Sequence, residues 1–190
     1  MFPAGASKVF HSNTQRMIDL WTGLKGAGPA PLRSALDPAE IGALLPQTFM
    51  VERGAGLPFR LSGSLIEDLH GRSLKGKSFL ELWAPESRAA VRDAVVTAVR
   101  ACEPAILYAE ARTDQDRRAG LELMLAPLAG PDVKVDRLLG LCQPISTLVR
   151  LHGENIVELG HRLTVYAGPN KGAPAGPHLK LAAVDGRRIA

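Results

Sequence analysis

Apolar residues recur every three or four positions across residues 12–24, SNTQRMIDLWTGL, so that Met17, Leu20, Trp21 and Leu24 share one side of a predicted helix. Ser12 and Gln15 have the spacing of a capping box, and Gly23 and Gly26 mark the end. A stripe this narrow suits two uses: packing on the chain's own domain, or docking on a second copy. In the second use Met17, Leu20, Trp21 and Leu24 form the interface of a homodimer. The Pro- and Gly-rich GAGPAPLRSALDP follows, so residues 1–36 are expected to hold an N-terminal helix and a connector.

Asp37-Pro38 opens a short helix, PAEIGALL, with Asp37 as N-cap and Pro38 at the first helical position. The runs QTFMVER and LPFRLSG, separated by GAG, predict a hairpin. SLIEDLHG, with Leu65, Ile66 and Leu69 at helical spacing, predicts a short helix stopped by Gly71, and SFLELW predicts another turn or two. The longest helix is PESRAAVRDAVVTAVRAC, with Val91, Ala94, Val95, Ala98, Val99 and Cys102 along one side and Pro104 beyond its end. Three strand-like runs follow with only short loops between them: AILYAEART, RAGLELMLAPL and RLLGLCQPISTLV. Strands joined so closely must run antiparallel. The expected fold is therefore α+β, one five-stranded antiparallel sheet with short helices and one long connecting helix, over residues 37–150. Residues 151–190 are expected to form a flexible C-terminal extension. Within it HRLTVYAG leaves one more strand open, GPNKGAPAGP reads as a linker, and HLKLAAVDGRRIA reads as a solvated tail or a peptide that adds to a sheet edge.

Composition narrows the function classes. The 190 residues are 46% apolar, enough for a real core, yet no run is long enough to span a bilayer and the N-terminus lacks the pattern of a signal peptide. The two cysteines, Cys102 and Cys142, stand alone among apolar neighbours, and the five histidines show no ligand spacing. These features point to a reducing cytoplasm and away from a disulfide frame or a metal centre. The net charge of +4 is spread through mixed-sign segments, and only 5% of residues are aromatic, which argues against nucleic acid as a partner.

One segment invites a specific chemistry. GRSLKGKS, residues 71–78, matches the G-x-x-x-x-G-K-S pattern of a phosphate-cradling P-loop. That chemistry needs a buried strand running into the loop and a long helix leaving it, so that backbone N–H groups and the helix dipole converge on the phosphates. Here a short helix precedes the match and a proline follows soon after it, so the glycines read as turn residues between short helices. A nucleotide-binding enzyme using residues 71–78 stays as a rival reading.

Several motifs occur together in one order: the strand Phe59-Arg60-Leu61 running into Gly63, the pair Gly71-Arg72, Gly76, and the dipeptide Leu82-Trp83. With LDPAEIGALLPQTFMVER before them and LELMLAPL after, the chain resembles the standalone PAS-domain proteins of alphaproteobacteria over roughly residues 12–150. The resemblance implies a bacterial sensory or regulatory module, not an enzyme, with no catalytic residues to carry over. No kinase, cyclase or DNA-binding segment accompanies it, so it implies action in trans on signalling proteins such as kinases or response regulators, or by dimerising.

PAS domains often enclose a small cavity between sheet and helices. Period-two alternation assigns Phe59, Leu61, Leu121, Leu123, Leu125, Leu139 and Leu141 to its sheet wall. Ile66, Leu69, Phe79, Leu82, Val91, Val95 and Ala98 are assigned to its helical wall, and Trp83 and Tyr108 each offer one donor to a ligand or to a backbone carbonyl. The alternative is that these side chains simply pack against one another. Arg72 is expected to pair with Glu67 or Asp68. No cofactor is required. A heme-based gas or redox sensor would need an axial ligand, for which His70 is the histidine within the helix cluster. Flavin photochemistry would need a cysteine in that cluster, and neither cysteine falls there.

Overall fold

The computed structural model describes residues 10–168. Helix α1 spans Ser12–Lys25, α2 Pro38–Ile41, α3 Ser64–His70 and α4 Arg88–Ala101. The strands are β1 Thr48–Glu52, β2 Phe59–Ser62, β3 Ala105–Thr113, β4 Arg118–Ala129, β5 Val135–Pro144 and β6 Ile156–Tyr166. They form one antiparallel sheet in the order β2-β1-β5-β4-β3-β6.

The sheet has six strands where five were expected. The extra one, β6, pairs with β3 from Thr113↔Ile156 to Ala105↔Tyr166. It is an edge strand interrupted by Gly160 and carrying Glu158, His161 and Arg162, so its apolar alternation is weak. The extension expected from residue 151 thus begins inside the sheet. The linker and tail expected beyond it lie outside the described residues.

Local signals set most helix ends. Asp37 accepts the Ala39 N–H at 2.8 Å and Pro38 occupies the first helical position, as its sequence predicts. At α1 the cap differs from expectation. His11 is the N-cap, its Nδ1 accepting the Asn13 N–H at 3.2 Å, while Gln15 turns to Asp19 at 2.8 Å.

Both faces of the sheet are covered. On one face α3, α4 and the 3₁₀ turn Phe79–Leu82 close over Phe49, Val51, Phe59, Leu107, Leu121, Leu123, Leu125, Leu138 and Cys142. On the other, α1 lays Met17, Ile18 and Trp21 over Met50, Ile106, Met124, Leu128, Leu139 and Leu141. Each large apolar side chain so buried is worth about 1.5–3 kcal/mol. Trp21 is also fastened through its Nε1–H, which donates to the Pro127 carbonyl at 2.7 Å.

This docking corrects the expected dimer stripe. Met17 and Trp21 are buried in the chain's own core at 1% and 3% exposure, and only Leu20 and Leu24 remain half-buried. The polar end of α1 is held as well. Glu122, buried on β4, accepts the His11 N–H at 3.2 Å, and Asn13 Nδ2 donates to Gln143 Oε1 at 2.9 Å. A carboxylate at a helix N-terminus also complements the helix dipole.

Phe49 of β1 lies directly opposite Gly140 of β5 in the ladder, and a Cβ at 140 would overlap its ring. The ring therefore rests on bare backbone and stacks on Phe79 at 5.6 Å between centroids. Phe59 and Trp83 complete the cluster. Gly140→Ala is expected to cost about 1–3 kcal/mol by overpacking in urea unfolding. Adding Phe49→Leu to that variant should recover part of the loss, because the two sites share one volume.

Candidate functional site

The space between sheet and helices is nearly closed. Phe49, Phe59, Ile66, Leu69, His70, Phe79, Leu82, Leu121, Leu123, Cys142, Ile156 and Leu159 surround a cavity of about 10 Å³, the room of roughly one water. The aromatic cluster fills what would otherwise be open. A porphyrin or a flavin ring does not fit within these walls.

Seven residues expected at the cavity line it: Phe59, Ile66, Leu69, Phe79, Leu82, Leu121 and Leu123. Others fall elsewhere. Leu125 is fully buried in the same core, away from the cavity wall. Trp83 packs edge-on against Phe79, and its buried Nε1 donates to no backbone carbonyl among the described residues. Val95 is in the core but also lines a cleft on the outer surface. Leu61 is 46% exposed, and the register shift between Met50 and Val51 pairs it with Met50, on the sheet face opposite that of Phe59.

Leu139, Leu141 and Tyr108 lie on the opposite face, under α1. The cavity face of β5 carries Leu138, Gly140 and Cys142 instead, since Leu123 pairs with Cys142 and Leu125 with Gly140. The Tyr108 hydroxyl is pushed up to about 12, by burial first and then by its hydrogen bond to Glu122. The sequence pattern did not single out Phe49, Cys142, Ile156 and Leu159, and Cys142 lies outside the helix cluster as expected but lines the cavity from β5. Phe49 alternates with Phe59 across a predicted hairpin and was within reach of the pattern. The two β6 residues were not, because that strand was not assigned.

Two titratable groups face this interior. Burial pushes the Cys142 thiol up to about 12, so it stays protonated and unreactive as a thiolate source. His70 caps the end of α3 with its ring buried, and its Nδ1 lies 3.1 Å from the Ile156 carbonyl. A carbonyl only accepts, so Nδ1 carries the proton and Nε2 the lone pair. Burial holds the imidazole below its ordinary pKa, outweighing the Ile156 bond that favours charge, and Arg72 lowers it further.

The segment Gly71–Ser78 is built as connections, not as a cradle. Gly71 ends α3 at φ +61°, and a Cβ there would strike Asn155. Five of the segment's N–H groups are spent within the fold: Gly71 on the Asp68 carbonyl and Arg72 on the Glu67 carbonyl, both at 3.2 Å, Leu74 on Glu67 Oε1 at 3.0 Å, and Gly76 on the Phe59 carbonyl and Lys77 on the Leu74 carbonyl, both at 2.8 Å. Glu67 also accepts from Ser62 at 2.6 Å and Ser73 at 2.9 Å, bonds that draw its carboxyl below the usual range, Ser62 first. The groups so used do not converge on one point as a phosphate cradle needs, and the Glu67 carboxylate, which would repel an anion, stands on the Leu74 N–H. The expected ion pair of Arg72 with Glu67 or Asp68 does not form among the described residues, because the serines and Leu74 occupy the Glu67 carboxylate. Among those residues there is also no cluster of metal-ligating side chains and no helix long and apolar enough to cross a membrane.

A sequence profile described as "PAS domain" matches residues 9–143. No curated protein matches the sequence. Among solved structures, one on a flavin analogue and light-oxygen-voltage domain mechanism is 16% identical, covers 62% of this chain and 93% of its own, and has a TM-score of 0.48. The PAS domain of a protein from Colwellia psychrerythraea is 18% identical over 52% of this chain and 86% of its own, with a TM-score of 0.44. A light-oxygen-voltage protein of Rhodobacter sphaeroides is 16% identical, covers 55% of this chain and 61% of its own, and has a TM-score of 0.45. These likenesses carry no weight for ligand or function.

The depressed His70 pKa has a defined consequence for stability. The unfolded chain takes up the proton first, so the stability from neutral His70 is full above about pH 6.5 and falls as the pH drops below it. His161, lowered by burial alone, adds to the same window, whereas the depressed Glu67 acts at lower pH, below the ordinary carboxylate value. His70→Asn keeps a donor toward the Ile156 carbonyl and removes the titration. Its melting temperature should fall less than the parent's between pH 7 and pH 5, and parallel curves would show that His70 does not carry this dependence.

Proposed function

Since the chain belongs to the PAS domain family, we propose that it is a cytoplasmic regulatory module that works through contacts with other proteins, such as kinases or response regulators. The observation that carries this reading is the filled interior. A cavity of about 10 Å³ gives no seat for an internal chromophore, and signalling then falls to the surface. Self-association belongs to the same reading, through the open edge of α1 at Leu20 and Leu24 and not through Met17 or Trp21, which the sheet already holds. The reading assigns no catalytic role to any residue.

The chain purified from its own host should be colourless and free of bound cofactor by native mass spectrometry. A signalling protein recovered with it should bind the purified chain directly in calorimetry. A stoichiometric heme or flavin absorption band, or sustained ATP hydrolysis by the purified chain, would contradict the proposal.

A further inference from the structure

A sizeable concavity lies outside the core, where the 54–57 turn of the β1–β2 hairpin faces α4. Its volume is about 560 Å³, within the range of small-molecule sites. On α4 it is lined by Arg92, Val95, Val96, Val99 and Arg100, which form one stripe at helical spacing with an arginine at each end. The two arginines are eight residues apart, about 12 Å along a helix axis. Leu57 and Leu80 complete an apolar floor, and Arg53 stands on the opposite rim.

The charge of this cleft is one-sided. No Asp or Glu lines it. Elsewhere Arg33, Arg60, Arg112, Arg117, Arg118 and Arg162 each face a carboxylate. The Arg92 and Arg100 side chains have no ion pair or hydrogen bond among the described residues, and the Arg53 side chain gives one bond, to the Val135 carbonyl at 3.3 Å. The nearby Glu52 is taken by Arg60 at 3.4 Å.

The wall is preformed. Ser78 donates to the Gly56 carbonyl at 2.7 Å, Phe79 N–H to the Leu57 carbonyl and Leu80 N–H to the Gly56 carbonyl. These bonds tie the turn to the segment that carries Leu80. The end of GRSLKGKS thus shapes the cleft, which explains a serine that no phosphate uses.

We propose that this cleft binds a small amphiphilic anion, an apolar chain ending in a carboxylate, with the chain on the valine and leucine floor and the head on the arginine rim. Each part of the site matches one part of such a molecule. Apolar floor alone would take a neutral hydrophobe, and arginines alone would take any anion; their separation into floor and rim selects a molecule with both characters. The site is independent of the protein contacts proposed above, since either can fail without the other.

Decanoate titrated into the full chain, below its micelle concentration, is the test, with decanol and phosphate as controls. Saturable decanoate binding is expected, with neither control matching it. Arg92→Gln with Arg100→Gln should weaken it at least tenfold, and Val96→Glu, at a site 40% exposed, should abolish it while leaving the melting temperature unchanged. Methyl NMR should move Val95, Val96 and Val99. Absence of binding, equal affinity in the arginine variant, shifts confined to Leu121 and Leu123 of the interior, or association only with anionic vesicles would each overturn the proposal. The last would show a membrane-surface patch in place of a ligand site.

Discussion

Phe49 can lie flat on β5 only because residue 140 has no side chain, and from that contact the rest of the interior follows. The ring lies in the core beneath α3 and α4, Phe79 stacks on it, and Phe59 and Trp83 pack around the pair. Aromatic pairs at these separations add about 0.5–1.5 kcal/mol each beyond their buried area. A family fold that often encloses a cavity is here closed by its own side chains. On the reading proposed here, recognition of other molecules falls to the outer surface, where Arg92 and Arg100 flank an apolar stripe of α4.

The second face of the sheet is closed with equal completeness. Helix α1 does so by two kinds of contact at its two ends: Trp21 on the Pro127 carbonyl, and the N-terminal turn on the buried Glu122 and Gln143. The helix belongs to the sheet as much as β1 or β5 does. The profile match, which begins at residue 9, includes it.

Covering both faces also explains what could be read from the sequence. Element type and order were legible: the cap at Asp37, the long helix α4, the hairpin and the three closing strands all carry local signals. The phase of β5 was not. In RLLGLCQ, Leu138, Leu139, Leu141 and Cys142 are all apolar because both sides of the strand are buried, and alternation then has no polar residue to mark the outside. Leu139 and Leu141 were thus assigned to the wrong side. For α1, a stripe drawn through residues 17, 20, 21 and 24 differs from the buried set Thr14, Met17, Ile18 and Trp21 by a small rotation, enough to leave its use undecided. The P-loop-like match shows the reverse case: a motif fully legible in sequence, five of whose N–H groups the fold spends on its own carbonyls and on Glu67.

The closed interior is the central claim, and xenon tests it most directly, because an apolar cavity large enough to hold the atom takes it up and a packed core does not. Crystals of the chain under xenon pressure should show no xenon among Phe49, Phe79, His70 and Cys142, while Phe79→Ala, which removes the stacked ring, should open a site there. An ordered xenon atom among those residues in the unaltered protein would contradict the account and restore an internal ligand pocket.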